Sequence, residues 1–223
     1  MDRLNTIYWI ILIVSGYILG SVMFAREIPK LLGYGDITLK SDDGNPGAAN
    51  AFKNCGVLCG SLCLFFDMLK GFAPVFLANL MFGISSVQFA AVMLMPVLGH
   101  ACPIFNHFRG GKCIATAFGV LIGCMPSSYI GFLLAGLYIL FSVLIKINPH
   151  RIRSIITFML FAFISLPILL LHRKVSVALG CIGISAVAII KHTRHFAQVS
   201  AAVAEAENDE IKSEDDEIRE NHA

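Results

Sequence analysis

Residues 4–25, 56–82, 85–106, 153–171 and 174–190 each form an apolar stretch long enough to cross a bilayer as one helix, which takes about 20 residues. No other feature constrains the fold as strongly. In hydrocarbon the backbone N–H and C=O groups must be satisfied inside the protein, and a helix does this within a single segment. The composition agrees, with 57% hydrophobic and 14% charged residues, against roughly 25% charged in soluble domains. Mean hydropathy is +0.75. A water-soluble globular domain is excluded, and the 19 glycines, scattered through apolar runs without a period of three, exclude a collagen-like or low-complexity chain.

Residues 113–147 are too long for one span, and Met125-Pro126-Ser127-Ser128 interrupts them with a helix breaker and a turn-like pair. Splitting there gives a short fourth helix and a full-length fifth. The expected fold is therefore all-α, a polytopic membrane protein built as a seven-helix bundle. With the N-terminus outside, thirteen of the seventeen Lys and Arg residues fall on the inner side. Only Arg3, Arg173 and Lys174 fall outside, and Lys70 sits within a span. That asymmetry is the positive-inside pattern. The first apolar stretch is not expected to be a secretory signal, because Arg3 is its only positive flank and further spans follow.

Charge divides the chain into an expected membrane domain, residues 1–204, and an acidic tail, residues 205–223. The tail holds nine of the fifteen Asp and Glu residues and carries a net −7, against +9 for the rest. With almost no apolar residues it is expected to be a disordered, solvated cytoplasmic end. Cys55, Cys59 and Cys63 recur every four residues on one helix face; they are expected as packing residues, and no metal site is expected.

Two loops on the inner side could carry chemistry. Loop one, residues 36–53, reads DITLKSDDGNPGAANAFK. Its small and turn-forming residues let backbone N–H groups approach a ligand, while Asn45 and Asn50 supply amides and Lys53 a cation. Loop two, residues 107–113, reads HFRGGKC and places Gly110 and Gly111 between Arg109 and Lys112 at the start of the short helix. A helix N-terminus with cations and flexible backbone attracts phosphate. An ordinary surface turn is the alternative for each. Asp67, Lys70 and His100 lie in spans, where ionisable groups are costly and tend to be paired or functional. Asp67 and Lys70 are spaced i, i+3 and can neutralise one another. His100 lies at a span end from which it could reach loop two. His192 and His195, beside Lys191 and Arg194, could accept a proton or bind an anion at the same interface. No His is followed five positions later by Asp, and no G-x-S-x-G elbow occurs.

Three blocks together resemble one family, the bacterial acyl-phosphate-dependent glycerol-3-phosphate acyltransferases. DGNPGAANAFK in loop one resembles the motif G-S-G-N-x-G-A-T-N followed by a basic residue. FDMLKG at 66–71 resembles G-D-x-x-K-G, and GHACPIFNHFRGGKCIAT at 99–116 is similar to G-H-x-x-P-x-F-x-x-F-x-G-G-K-G-x-A-T. The resemblance implies transfer of a fatty acyl group from acyl phosphate to the sn-1 hydroxyl of glycerol 3-phosphate, in the bacterial cytoplasmic membrane. It implies the lipid bilayer and these two substrates as partners, no nucleic acid, and no cofactor. Onto this chain it carries His100, Lys112 and His192 as catalytic residues. It carries Asp43, Gly44, Asn45, Gly47, Asn50, Lys53, Lys70, Arg109, Gly110, Gly111 and Thr116 as substrate-binding residues. The sequence does not choose between His100 and His192 for orienting or deprotonating the hydroxyl.

The chain departs from the family pattern in ways that mark a divergent member. Asp43 stands where Ser is common, Ala49 replaces Thr, and Cys113 replaces the third Gly of loop two. The family's final R-H-R-x-N block is represented by Lys191, His192 and a displaced Arg194, with His195 at the Asn position. Two competing classes follow. One is a non-catalytic or substrate-shifted relative that binds a phosphorylated lipid precursor. The other is an anion transporter, which would carry repeated halves, and neither loop has a second copy.

Overall fold

The computed structural model describes residues 3–40, 45 and 47–193. Asp43, Gly44, Arg194, His195 and the acidic segment 205–223 lie outside the described residues. Among the described residues eight α-helices follow in order: α1 (Arg3–Gly20), α2 (Phe24–Leu31), α3 (Ala48–Phe82), α4 (Val87–Ala101), α5 (Ile114–Gly123), α6 (Gly131–Ile139), α7 (His150–Leu171) and α8 (Val175–Thr193). Short 3-10 turns occupy Ile37–Lys40 and Ile104–Asn106. There is no strand among the described residues. Helices α1, α3, α7, α8 and the run Val87–Asn106 that begins with α4 are long and apolar enough to cross a membrane. Two more apolar helices, Ile114–Gly123 and Gly131–Leu144, are shorter.

The chain is thus an all-α membrane protein, with three local differences from the sequence expectation. The helix expected at full length after Pro126 is short: α6 gives way to a π-helical turn at Leu140–Leu144. Lys146 then takes a left-handed φ of 53° ahead of Asn148-Pro149, a pair that disfavours helix. The segment 26–55, read as loop, contains α2, a 3-10 turn and the first two turns of α3. Helix α2 escapes a hydropathy reading because it has eight residues, including Arg26, Glu27, Lys30 and an internal Pro29. Helix α3 begins well before residue 56 and is kinked at Gly56, where φ is 81°.

Packing is closest where small residues let backbones meet. Helix α3 packs most extensively on α5, and α1 on α4. A Cβ on Gly119 would lie 1.9 Å from the Met68 carbonyl oxygen, and one on Gly99 would lie 2.3 Å from that of Tyr17. Association inside a bilayer relies on such close approach, because lipid tails are as apolar as the side chains they would replace. Cys55, Cys59 and Cys63 form a buried face with Ala25, Ile37 and Ala51, fastening α2 and the 3-10 turn onto α3. Far along α3 from that face, the Asn79 amide donates to the carbonyls of Gly123, Cys124 and Met125, and Ser127 Oγ donates to Asn79 Oδ1 at 2.7 Å. This fixes the break between α5 and α6.

Candidate active site

The C-terminal end of α4 leaves carbonyls that the helix itself cannot satisfy. Three successive ones are taken by three different parts of the chain. His100 O accepts from the Gly111 amide at 3.0 Å, Ala101 O from Lys191 Nζ at 3.0 Å, and Cys102 O from the Tyr17 hydroxyl at 2.8 Å. Loop two, α8 and α1 therefore converge on one helix end.

Loop two approaches so closely that only glycines fit. A Cβ on Gly110 would lie 2.0 Å from His100 O, and one on Gly111 would lie 2.3 Å from His100 Nε2. The turn is also strained, since His107, Phe108 and Cys113 all have left-handed φ values between 50° and 66°. Cys113 holds this backbone as the N-cap of α5, at the position where the resembled motif has Gly, and its buried Sγ lies 3.5 Å from Gly111 O. Because the Gly111 N–H is taken by His100 O, this glycine contributes closeness to His100 rather than an amide donor.

Beneath the loop lies a buried charged group. Asp67 and Lys70 on α3 pair at 2.8 Å, 1% and 3% exposed. His100 Nδ1 is 3.8 Å from the same Asp67 oxygen. Lys70 Nζ also donates to Val22 O at 2.6 Å, so the pair anchors the turn between α1 and α2 as well as α3. A buried ion pair persists only when geometry and added hydrogen bonds offset desolvation; here the added bond is the one from Lys70 to Val22 O, while Asp67 Oδ1, beyond the ion pair itself, and His100 Nδ1 have no hydrogen-bond partner among the described residues. Thr116 on α5 is fully buried and its backbone abuts Gly71, next to Lys70. Lys70, His100, Gly110, Gly111 and Thr116 are thereby gathered at one end of the bundle. Lys112 is half-buried and Arg109 exposed on the same loop.

In loop one the described residues 45 and 47–53 are held by local hydrogen bonds. Gly47 is the extended N-cap of α3, its amide donates to Asn45 O at 2.9 Å, and Asn50 Nδ2 reaches back to Asn45 O at 2.6 Å. Lys53 is exposed one turn further on. On α8, His192 is fully buried, with Nδ1 2.8 Å from Ala188 O. A carbonyl only accepts, so Nδ1 carries the proton and Nε2 is the basic nitrogen. The His150 ring, from the start of α7, stacks against it at 6.4 Å between centroids. Sequence reasoning passed over His150 and Arg26, since neither lies in a motif or a span interior. Among the described residues no three His, Cys, Asp or Glu side chains gather as a metal-binding group.

Span-length helices that bring a buried Asp–Lys–His group and a cationic glycine loop together at one end define an integral membrane protein with a candidate site for an anionic substrate. The family model described as glycerol-3-phosphate acyltransferase matches residues 10–202, and the chain belongs to that family. It is 37% identical over 152 residues to the glycerol-3-phosphate acyltransferase of Shewanella woodyi, covering 68% of this chain and 72% of the relative. It is 39% identical over 136 residues to that of Shewanella putrefaciens, covering 58% and 66%. It also resembles two crystal structures of PlsY, an integral membrane glycerol 3-phosphate acyltransferase. These are the lysophosphatidic acid form, with a TM-score of 0.71, and the glycerol 3-phosphate form, with 0.72. Each is 30% identical, and each match covers 87% of this chain and 92% of the other.

Proposed function

We propose that this chain transfers a fatty acyl group from acyl phosphate to the sn-1 hydroxyl of glycerol 3-phosphate, yielding lysophosphatidic acid and inorganic phosphate for phospholipid synthesis. Family membership supports the acyltransferase activity, and the two PlsY forms support the acceptor and the product. The observation that carries the reading for this chain is the seat of loop two on His100, fixed by the Gly111–His100 hydrogen bond at 3.0 Å. With Arg109 and Lys112 flanking those glycines, this seat supports a phosphate site beside His100.

In the reaction the acceptor hydroxyl attacks the acyl carbonyl, the acyl–phosphate bond breaks, and the hydroxyl proton ends on the departing phosphate. Lys112 and Arg109 stabilise the negative charge that develops on that phosphate. Asn45, Asn50 and Lys53 hold a substrate phosphate from loop one, with Asp43, Gly44 and Gly47 shaping its approach. His100 or His192 orients or takes the hydroxyl proton; the Nε2 basicity of His192 suits the second role. Lys70 and Thr116 support the floor of the site. The asymmetry of Lys and Arg supports an N-terminus outside, cytosolic loops and a bacterial cytoplasmic membrane, with residues 1–204 as the membrane domain and 205–223 as a solvated tail.

The test is phosphate release from palmitoyl phosphate by the purified protein in a lipid-like phase, with and without glycerol 3-phosphate, beside Lys112→Ala. Release that needs the acceptor and disappears in the variant supports the reading. Folded protein that binds either substrate without turnover would instead identify a non-catalytic relative.

A further inference from the structure

Arg26 stands on α2, within the segment that hydropathy reads as loop, and through it the two candidate phosphate loops meet. Its Nη2 lies 3.0 Å from Asp36 Oδ2, and its Nε donates to the same oxygen at 3.2 Å. Its Nη1 donates to Asn106 Oδ1. Asn106 in turn donates from Nδ2 to the Arg109 carbonyl of loop two. The other Asp36 oxygen accepts from the Thr38 amide at 3.0 Å and hydroxyl at 2.6 Å, opening the 3-10 turn that leads into loop one. One guanidinium thus joins the entrance of loop one to the turn before Arg109 and Lys112, using the planar fork that suits Arg better than Lys.

Two further observations separate this contact from ordinary packing. Arg26 borders a cavity of about 180 Å³, bounded also by Ser21, Met23, Glu27, Phe105 and Asn106, so its side chain can be changed without opening the core. Asp36 would also be a bare carboxylate at the head of a loop that receives a phosphate. Partial burial pushes its carboxyl up, but hydrogen bonds from Thr38 and the Arg26 contact outweigh this and hold it below its usual 3.8.

We propose that Arg26 is a positioning residue: it holds loops one and two at the separation at which both grip substrate phosphate, and it cancels the Asp36 charge beside that phosphate. The proposal rests on the acyltransferase reading above and adds a residue that none of the three sequence motifs contains.

The experiment uses the full chain in a lipid-like phase and makes two measurements on Arg26→Gln, Arg26→Lys and Arg26→Gln/Asp36→Asn. One is steady-state kinetics against glycerol 3-phosphate. The other is hydrogen exchange over residues 34–40 and 104–111. Arg26→Gln should raise KM about tenfold, equivalent to about 1.4 kcal/mol, while kcat stays within about threefold. Exchange in both segments should accelerate about tenfold, with α3, α4 and α5 unchanged. Arg26→Lys should fall between, since it keeps charge without the fork. The double variant should recover part of the KM, because the carboxylate leaves with the cation, yet keep the rest of the defect and the fast exchange because the tether is still gone. A role in folding alone predicts a double variant no better than Arg26→Gln, and that result overturns the proposal. So does unchanged exchange in Arg26→Gln. If the unmodified protein shows no turnover, the functional reading falls, and the exchange data alone decide whether Arg26 positions the loops.

Discussion

Gly111→Ala tests the seat of loop two on His100. The added Cβ would lie 2.3 Å from His100 Nε2, 3.1 Å from Cε1 and 3.2 Å from Cδ2, where ordinary contact begins at 3.4 Å. Ring or loop must therefore yield by about 1 Å. The ring has little room, being 4% exposed with Asp67 on its far side 3.8 Å from Nδ1. The loop is held by the Gly111 N–H bond to His100 O. Overpacking of this kind costs about 1–3 kcal/mol of stability. A reacting geometry displaced by about 1 Å loses on the order of 100-fold in rate. Turnover of the purified variant, measured as acceptor-dependent phosphate release, should thus fall about 100-fold while the protein still folds. Gly136→Ala is the control, because nothing lies within 4 Å of a Cβ there; it should keep full activity and gain about 0.5–1 kcal/mol from helix propensity. A folded Gly111→Ala protein with wild-type kcat would refute the reasoning.

Further outcomes follow from the same contacts. Lys70→Met strands the buried Asp67 carboxylate and should cost about 3–5 kcal/mol in thermal unfolding in detergent, whereas Lys70→Met/Asp67→Leu should restore most of that stability. Asn79→Ala removes the amide that binds three carbonyls at the α5–α6 break. It should lower stability by about 1–3 kcal/mol and leave turnover at low temperature intact, because Asn79 lies far along α3 from the site. Asp36 is held below its usual 3.8, so its contribution is full above that value and is lost as pH falls through the lower folded value. Exchange protection over residues 34–40 should decline on acidification in that window, and Asp36→Asn should remove the dependence.

The parts of this molecule that local pattern encodes were legible in the sequence. Apolar runs of span length marked the long helices, and Pro126 marked the break after α5. The i, i+3 spacing of Asp67 and Lys70 anticipated the pair observed at 2.8 Å. Gly-Gly beside a span-end histidine anticipated the approach of loop two to His100. What remained hidden depends on distance in sequence. Arg26 meets Asn106 across 80 residues, and no period or motif records such a pairing. His150, at the start of α7, meets His192 near the end of α8 for the same reason. Helix α2 was invisible because its polar residues and Pro29 resemble a loop, and it is held by packing of Ala25 and Ile28 on the cysteine face of α3 rather than by hydropathy. Likewise, composition alone cannot show that the apolar run after Pro126 winds into a π turn at Leu140.

Acyl transfer to glycerol 3-phosphate is decided by analysis of the products. The purified full chain would be given palmitoyl phosphate and glycerol 3-phosphate, and both inorganic phosphate and lysophosphatidic acid would be quantified over time. One lysophosphatidic acid, acylated at the sn-1 position, should form for each phosphate released, and neither product should form without the acceptor. Phosphate released without lysophosphatidic acid, or no product from folded protein that binds both substrates, would contradict acyl transfer.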